Sequence, residues 1–407
     1  MCLSRSKCKI CSQEVQQVLS FGKMPIANGF LKADDFHQEY FFELACGFCE
    51  HCKTFQLLHQ TDPSQMFHEQ YAFYTSTSRY MSAHFEAMAL NYIQHWLPNK
   101  KDPFVIELGS NDGTMLKHFA ERGIRHLGIE ASQNVAEIAR KNGVETRCCF
   151  FNDTTAEEIK QNYGKVDLIS VANVHFSNMN EVAKGVSLLL KDHGIFVFEN
   201  PYLGNIIKNV AYDQIYDEHA FIFGLNSVSN IFEREGLEVF HVEAQETHGG
   251  SIRYYLCHKG KHSKRSSVME LLHQENDVLN LNRVETYRTF AKNCEQRQQE
   301  LVALLKKLQA EGKRVVGYAA TAKSTTILNY CSIGPKLISC IYDTTPIKQG
   351  KYSPGMHIPI KPYTADWYKT ADYVVLFAWN HAKEIFEKES EFTKNGGQWI
   401  LFTPQIT

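Results

Sequence analysis

The sequence lacks an excess of charge of either sign. Its 43 lysines and arginines nearly balance its 45 aspartates and glutamates, and the formal net charge at pH 7 is −2. Domains that bind nucleic acid usually carry a clustered basic face. The one basic run, residues 259–265, precedes a polar helical pattern and indicates a solvated linker. We therefore expect no nucleic-acid partner.

Long apolar runs are missing as well. No run of about eighteen apolar residues occurs that would span a bilayer, and the first residues hold no apolar segment of the secretory kind. We therefore expect a cytoplasmic protein with no membrane partner. Internal repeats and low-complexity segments are also absent. With 407 residues and 43% hydrophobic content, the chain is long enough for two or three domains.

The cysteines are unevenly distributed along the chain. Six of the 12 fall within the first 52 residues, and in a reducing compartment such a cluster indicates metal ligands. Two C-x-x-C pairs, Cys8 with Cys11 and Cys49 with Cys52, have the spacing that turns two thiolates toward one tetrahedral zinc. Cys46 offers a competing register, because Cys46 and Cys49 form another C-x-x-C pair. Free buried thiols are the alternative to a zinc site. Four thiolates leave no open coordination position, so we predict a structural zinc.

From residue 104 onward, apolar strands alternate with helical segments, which is typical of a doubly wound α/β sheet. The first predicted strands are 104–108, 126–130, 166–171, 194–198, 237–242 and 251–257. The turn-prone residues 248–250 favour an antiparallel end to this sheet.

A helical pattern then covers 268–310 and leads to a second strand-helix alternation. Its predicted strands are 314–317, 337–342, 373–378 and 399–402. We therefore expect four parts in an α/β protein, whose bounds follow from these changes in pattern. They are a small zinc-binding domain (1–75), a Rossmann-like domain (76–260), a helical connector (261–311) and a second Rossmann-like α/β domain (312–407).

The segment from Glu107 to Gly113 leads from a buried strand through a glycine turn into a helix. Its E-x-G-x-x-x-G spacing differs from the G-x-G-x-x-G that serves a pyrophosphate, and a carboxylate at the first position suits the amino group of a methionine moiety. This spacing favours S-adenosylmethionine over NAD. Glu130, at the end of the second strand, is placed for the ribose hydroxyls, and residues 150–153 for the adenine. The predicted cofactor-binding residues are Glu107, Gly109, Asn111, Asp112, Gly113, Glu130, Asn152 and Asn173.

The sequence resembles the sugar C-methyltransferase family, whose members methylate C3 of nucleotide-linked 4-keto-6-deoxyhexoses. The resemblance covers nearly the whole chain and rests on a set of motifs. These are the cysteine pairs followed by Gln56-Leu57, and residues 71–76, 107–113, 216–219, 248–253 and 317–329. The resemblance implies a zinc-binding N-terminal domain, a central class I methyltransferase domain and a C-terminal domain that helps to hold the sugar nucleotide.

The chain departs from the family pattern at one point. Ser177 stands where the family usually has histidine, and His175 lies two residues earlier. A core or capping role is therefore favoured for His175.

Methylation of a carbon beside a ketone requires a base for the α-proton and donors for the charge that collects on the oxygen. By resemblance, His219 is the base, and Tyr216 and Glu218 position the sugar or stabilise the enolate. Tyr71 is a further catalytic candidate from the N-terminal domain, with aromatic packing as its alternative. A helix N-terminus, with Asp217 as its cap and Glu218 in the first turn, would explain the carboxylates without catalysis.

Residues 320–325 join a strand to a helix, and their amides together with Lys323 suit a diphosphate. The predicted substrate-binding residues are His248, Arg253, Lys323, Ser324, Asn329, Asp343 and Lys348. Plain α/β scaffolding is the alternative for the C-terminal members of this set. The expected partner is a dTDP- or GDP-linked keto-hexose.

Two other functions compete with sugar C-methylation. One is an O- or N-methyltransferase, and the other is a sugar-nucleotide-binding protein without turnover. The sequence leaves open the nucleotide, the hexose, the methylated carbon and the oligomeric state.

Overall fold

The computed structural model describes residues 5–66, 74–98, 100–173 and 176–407. The strands in these ranges are β1 (Arg5–Lys7), β2 (Glu14–Pro25), β3 (Phe41–Cys49), β4 (Thr54–Leu57), β5 (Phe104–Leu108), β6 (Arg125–Glu130), β7 (Thr146–Cys148), β8 (Val166–Ala172), β9 (Leu190–Pro201), β10 (Phe221–Ile222), β11 (Leu237–Gln245), β12 (Ser251–His258), β13 (Val315–Tyr318), β14 (Ile341–Asp343), β15 (Ile360–Pro362), β16 (Tyr373–Leu376) and β17 (Gln398–Ile400).

The α-helices in the same ranges are α1 (Pro63–Met66), α2 (Arg79–His95), α3 (Lys117–Ala120), α4 (Gln133–Lys141), α5 (Asp153–Tyr163), α6 (Met179–Leu189), α7 (Leu203–Asn209), α8 (Leu225–Phe232), α9 (Ser266–His273), α10 (Val284–Ala310), α11 (Ala322–Tyr330), α12 (Ala382–Lys388) and α13 (Ser390–Lys394). Within the described part of the chain, no helix is both long and apolar enough to cross a bilayer.

The N-terminal sheet is antiparallel, with the strand order β1-β2-β3-β4-β10. Its last strand comes from the middle of the chain, where Phe221 and Ile222 pair with Gln56 and Phe55 of β4. This pairing ties the segment just before β10 to the N-terminal sheet. That segment carries the predicted catalytic residues 216–219.

The central sheet has the order β11-β12-β9-β8-β5-β6-β7. Strands β5 to β9 are parallel, whereas β12 runs antiparallel to both β9 and β11. All five residues of β5 are buried, as expected for a parallel strand covered by helices on both faces. The predicted doubly wound sheet and its antiparallel end are confirmed. The carboxyl ends of the parallel strands meet at one edge, where a nucleotide-type pocket belongs.

The predicted helical connector is interrupted rather than continuous. It consists of α9 and the 27-residue α10, separated by a π-helical turn at Gln274–Val278. Tyr287 of α10 stacks on Phe48 and Phe55 of the N-terminal sheet, with ring centroids 4.1 and 5.2 Å away. The connector therefore packs against the zinc-binding region.

The C-terminal sheet is wholly parallel, with the order β15-β14-β13-β16-β17. Its four predicted strands are present, although β14 begins at Ile341, later than predicted. The edge strand β15 was not predicted, because it has three residues and ends in a proline, which cannot donate to a ladder. Glu39 of the N-terminal region accepts hydrogen bonds from the Gly355 amide at 2.7 Å and from His357 at 2.7 Å.

Candidate functional site

Four cysteine thiols lie together at one end of the N-terminal sheet. The Sγ atoms of Cys8, Cys11, Cys49 and Cys52 all lie within 4.8 Å of one another, with Cys8 and Cys52 at 3.5 Å and Cys11 and Cys49 at 3.4 Å. Zinc–sulfur bonds of about 2.3 Å in a tetrahedron require sulfur–sulfur distances of about 3.8 Å, so the cluster fits zinc. Cys46 is buried outside it, and the competing register is wrong.

Two hydrogen bonds support one of these thiols, that of Cys8. The Gln56 amide donates to Cys8 Sγ at 3.1 Å, and the Ile10 backbone N–H donates to the same sulfur at 3.4 Å. Such donors stabilise a thiolate and orient it toward the metal. Four thiolates complete a tetrahedron, which makes the zinc structural.

A cavity of about 290 Å³ lies at the carboxyl ends of β5, β6 and β8. Six predicted cofactor residues line it: Glu107, Gly109, Asn111, Glu130, Asn152 and Asn173. Asp112 and Gly113, the other two predicted cofactor residues, do not line the cavity. Apolar side chains, including Met81, Phe85 and Phe176, cover much of the remainder.

The glycine turn after β5 is held by hydrogen bonds that sequence reasoning did not assign. Glu130 accepts the backbone N–H of Asn111 at 2.9 Å and that of Ser132 at 2.8 Å, so this carboxylate shapes the loop as well as lining the cavity. A Cβ on Gly113 would lie 2.8 Å from Val144, and its φ of +79° also favours glycine. The turn therefore packs tightly against the chain before β7.

Asn111 and Asp112 anchor the segment that leads into α2. The Asn111 side chain accepts the Thr75 backbone N–H at 2.9 Å, and that of Asp112 accepts the Ser76 backbone N–H at 3.0 Å. Because Thr75 also lines the cavity, this anchoring closes one side of it. The cofactor-binding role of Asp112 stays a prediction, and in the structure its side chain anchors the segment that forms one wall of the cavity.

Asn152 and Asn173 have different local tasks. Asn152 is the N-cap of α5 and accepts the Thr155 backbone N–H at 2.8 Å. Asn173 has a left-handed φ of 55° and donates its amide to His248 Nε2 at 2.8 Å. Burial and the nearby Lys323 ammonium lower the pKa of His248 well below its usual range. His248 is therefore neutral, with its proton on Nδ1.

The loop between the 3-10 helix Tyr212–Gln214 and β10 carries the predicted catalytic residues. His219 Nδ1 donates to the Gln214 carbonyl at 2.5 Å, and its ring packs on Tyr216 with centroids 4.1 Å apart. Glu218 accepts the Asn28 amide at 2.8 Å and lines the cavity. No helix begins at Asp217 in this described loop, so the helix-cap alternative is wrong.

His219 lies beside the main cavity rather than on its wall. With Glu218, Asn200 and Phe176 it lines a small adjoining void of about 10 Å³. Tyr216 lines neither space. Tyr71 and His175 lie outside the described residues.

The predicted substrate residues are only partly brought together. His248 lines the cavity, whereas Arg253 is buried in β12 and donates to Glu199 at 2.8 Å. The C-terminal members lie around the turn before α11, where Lys348 donates to the Ala320 carbonyl at 2.8 Å and Asp343 accepts the Ala320 N–H at 2.6 Å.

The three other C-terminal members of the set lie on α11. Lys323 donates to Asn380 at 2.9 Å, and Ser324 donates to the Thr321 carbonyl at 2.6 Å. Asn329 donates to the Thr325 and Pro354 carbonyls at 2.8 and 3.0 Å. None of the C-terminal members lines the 290 Å³ cavity.

Comparison with known proteins identifies the family. The chain is 34% identical over 405 residues to the C-methyltransferase NovU of Streptomyces niveus, in an alignment that covers 98% of this chain and 96% of NovU. The chain belongs to the C-methyltransferase family. It is an S-adenosylmethionine-dependent C-methyltransferase, as the sequence predicted.

Three family models match consecutive parts of this C-methyltransferase. They are described as “Putative zinc binding domain” over residues 8–67, “Methyltransferase domain” over 80–242 and “C-methyltransferase C-terminal domain” over 246–404.

Two solved structures are similar to part of the chain. A SAM-dependent methyltransferase from Anabaena variabilis is 15% identical, with a TM-score of 0.35 over 43% of this chain and 84% of that one. Magnesium protoporphyrin IX methyltransferase from Synechocystis, with bound SAH, is 13% identical, with a TM-score of 0.34 over 43% and 82%.

Glu107 of this C-methyltransferase has the properties required to bind a cation. It is 4% exposed, and its Oε2 atom accepts no hydrogen bond from the described residues. Burial and the carboxylates of Asp112 and Glu130 raise its pKa well above the usual range. A nearby positive group stabilises the ionised form of such a carboxylate, and S-adenosylmethionine carries an ammonium and a sulfonium. The cavity therefore fits this cofactor, which supplies an electrophilic methyl group when bound.

We expect S-adenosylmethionine binding to release a proton and to weaken as the pH is lowered. The cation favours ionised Glu107, and because burial and the neighbouring carboxylates raise its pKa, the protein molecules that are protonated there must lose this proton on binding. Calorimetry in two buffers of different ionisation enthalpy measures this release. Glu107→Gln should bind about 10- to 100-fold more weakly, the worth of one charge-assisted hydrogen bond, and release no proton.

A matched substitution elsewhere separates this effect from a general loss of charge. Glu137→Gln, at an exposed position of α4, should change neither affinity nor proton release. If Glu107→Gln still releases the full proton, another group titrates and the assignment fails.

Proposed function

We propose that this C-methyltransferase acts on C3 of a nucleotide-linked 4-keto-6-deoxyhexose, with His219 as the base. The observation that supports the proposal is the loop before β10, in which the carboxyl groups of Asp217 and Glu218 line the cofactor cavity and His219, a histidine of defined tautomer, lines the small void beside it. Because Nδ1 of His219 donates to the Gln214 carbonyl, the lone pair lies on Nε2, the nitrogen able to take a proton. This arrangement suits removal of an acidic C–H beside a ketone.

The roles of the surrounding side chains follow from their placement. Glu107, Glu130, Asn152 and Asn173 hold the cofactor in the cavity, and the apolar walls exclude water from it. Nε2 of His219 takes the α-proton of the sugar, and Glu218 positions the sugar from the cavity wall. Tyr216 positions the sugar indirectly, through the His219 ring on which it packs. Tyr71 is proposed as a further contact. Neutral His248 donates through Nδ1 to a sugar or ketone oxygen.

The nucleotide part of the substrate is assigned to the C-terminal domain. Lys323 is buried and Lys348 is half-buried near the turn at Ala320, where Lys348 donates to a backbone carbonyl. Burial lowers the pKa of both ammonium groups, and a bound diphosphate would stabilise their charged forms by pairing with them. Ser324 and Asp343 shape this turn, Asn329 ties α11 to the Pro354 carbonyl, and Arg253 supports the cavity from β12.

Two further assignments belong to the proposal. The chain is divided at residues 75, 260 and 311 into the zinc-binding, methyltransferase, connector and sugar-nucleotide-binding parts. A cytoplasmic location is proposed because no disulfide joins the cysteines of the described residues, which is the state maintained in a reducing compartment.

Deuterium exchange tests the carbon-methylating function directly. Incubated in D₂O with dTDP- and GDP-linked 4-keto-6-deoxyhexoses, the enzyme should exchange one proton beside the ketone with at least one of them. Addition of S-adenosylmethionine should then give a product heavier by one methyl group on C3, which mass spectrometry and NMR locate. A methyl group on oxygen or nitrogen, without exchange, would establish the O- or N-methyltransferase instead.

A further inference from the structure

We propose that Asp217 is a second catalytic residue, whose carboxyl proton is donated in a hydrogen bond to the ketone oxygen and stabilises the enolate. This inference rests on the proposed function. It assigns stabilisation of the enolate oxygen to Asp217, which the sequence suggested only as a helix cap.

The Asp217 carboxyl group is held in the wall of the cofactor cavity. The side chain is 3% exposed and lines the cofactor cavity next to Glu218. Its Oδ1 atom accepts the Ala27 backbone N–H at 3.2 Å, which fixes the carboxyl group. Its Oδ2 atom is buried and has no hydrogen-bond partner among the described residues. A buried polar atom without a partner is costly, so a bound group at the cavity is its natural partner.

The neighbouring Glu218 explains why Asp217 carries a proton. Ionising both of two consecutive buried carboxyl groups is unfavourable, because each negative charge raises the free energy of the other. The Asn28 amide donates to Glu218 at 2.8 Å and stabilises that carboxylate. Burial and the Glu218 carboxylate raise the pKa of Asp217 well above its usual range. Of the two, Asp217 is therefore the donor.

Enolate formation transfers one proton and shifts two electron pairs. The α-C–H bond breaks, its proton goes to His219 Nε2, and its electron pair forms the carbon–carbon double bond. The carbonyl π pair moves onto the ketone oxygen, which gains a negative charge. The Asp217 proton stays on its carboxyl group and shares a stronger hydrogen bond with that oxygen. No oxidant or additional reactant is needed.

Two substitutions at Asp217 distinguish a donor from an ionised carboxylate. Asp217→Asn keeps a hydrogen-bond donor in the same shape, so it should exchange the α-proton within about tenfold of the wild type. Asp217→Ala removes the donor and should lose about 100- to 1,000-fold, as for other oxyanion donors. Exchange is measured in D₂O without S-adenosylmethionine, using the keto-hexose nucleotide that the wild type exchanges fastest.

A distant buried carboxyl provides the matched control. Asp167, 4% exposed at the start of β8, accepts the Phe104 backbone N–H at 3.0 Å, and Asp167→Asn should leave exchange unchanged. Equal losses in Asp217→Asn and Asp217→Ala, or normal exchange in Asp217→Ala, would overturn this inference while the proposed function stands. Absence of exchange by the wild type would overturn the proposed function itself, and this inference with it.

Discussion

His219→Ala should bind both ligands and lose about 100- to 10,000-fold in turnover, the usual worth of a positioned general base. The variant removes Nε2 and leaves the cavity wall intact, because His219 lies in the adjoining small void. Calorimetry should therefore give an unchanged affinity for S-adenosylmethionine. The α-proton exchange of the sugar should fall together with turnover, since both need the same proton transfer.

His126 offers a control whose Nδ1 is bonded in the same way. Its Nδ1 also donates to a backbone carbonyl, that of Ile124 at 2.8 Å, and it lies at the opposite end of the central sheet from the cavity. His126→Ala should keep turnover and exchange. If His219→Ala keeps near-normal exchange, the base lies elsewhere, and Tyr216 becomes the next candidate.

Loss of one zinc ligand should have the largest effect on folding. Structural zinc sites of this kind contribute about 10–16 kcal/mol of apparent binding free energy in small domains, more than a typical domain's stability. Cys49→Ser should therefore sharply lower the yield of folded protein and its thermal midpoint. Metal analysis should find one zinc per wild-type chain, and activity per zinc-bound chain should be unchanged, because the thiolates line neither cavity.

Cys46→Ala is the informative comparison for zinc. Cys46 lies on β3, the strand that ends at Cys49, and is fully buried outside the cluster. The variant should keep its zinc and lose only the modest stability of a small buried side chain. A wild-type protein without zinc, or a Cys46→Ala protein that loses it, would contradict the assigned ligand set.

Local patterns carried the predictions that succeeded. The C-x-x-C spacing indicated the zinc ligands, and the E-x-G-x-x-x-G turn after an apolar strand indicated the cofactor loop. Both depend on residues within a few positions of one another, whose geometry the backbone limits strongly. Six of the seven strands of the central sheet were predicted for the same reason, since apolar runs mark buried strands, whereas the three-residue β7 was not predicted.

Short elements and distant partners were missed. Strand β15 is too short to give a pattern, and nothing near Asp213 indicates its contact with Trp379, whose indole donates to it at 2.7 Å. Burial raises the pKa of Asp213 to about 6, although the chain around it shows no sign of this. Contacts between residues far apart in the sequence depend on how the sheets pack, which one sequence does not encode locally.

The sequence by itself determined the class of protein and the four clustered cysteines, and it predicted a cofactor loop and a candidate base. Only the tertiary structure decided how these meet. Ala27 and Asn28 of the zinc-binding region hold Asp217 and Glu218 across 190 positions of the chain, through hydrogen bonds that β10 brings into register. The physical reason is that burial and a neighbouring charge set the protonation of a carboxyl group, and both come from the surrounding fold.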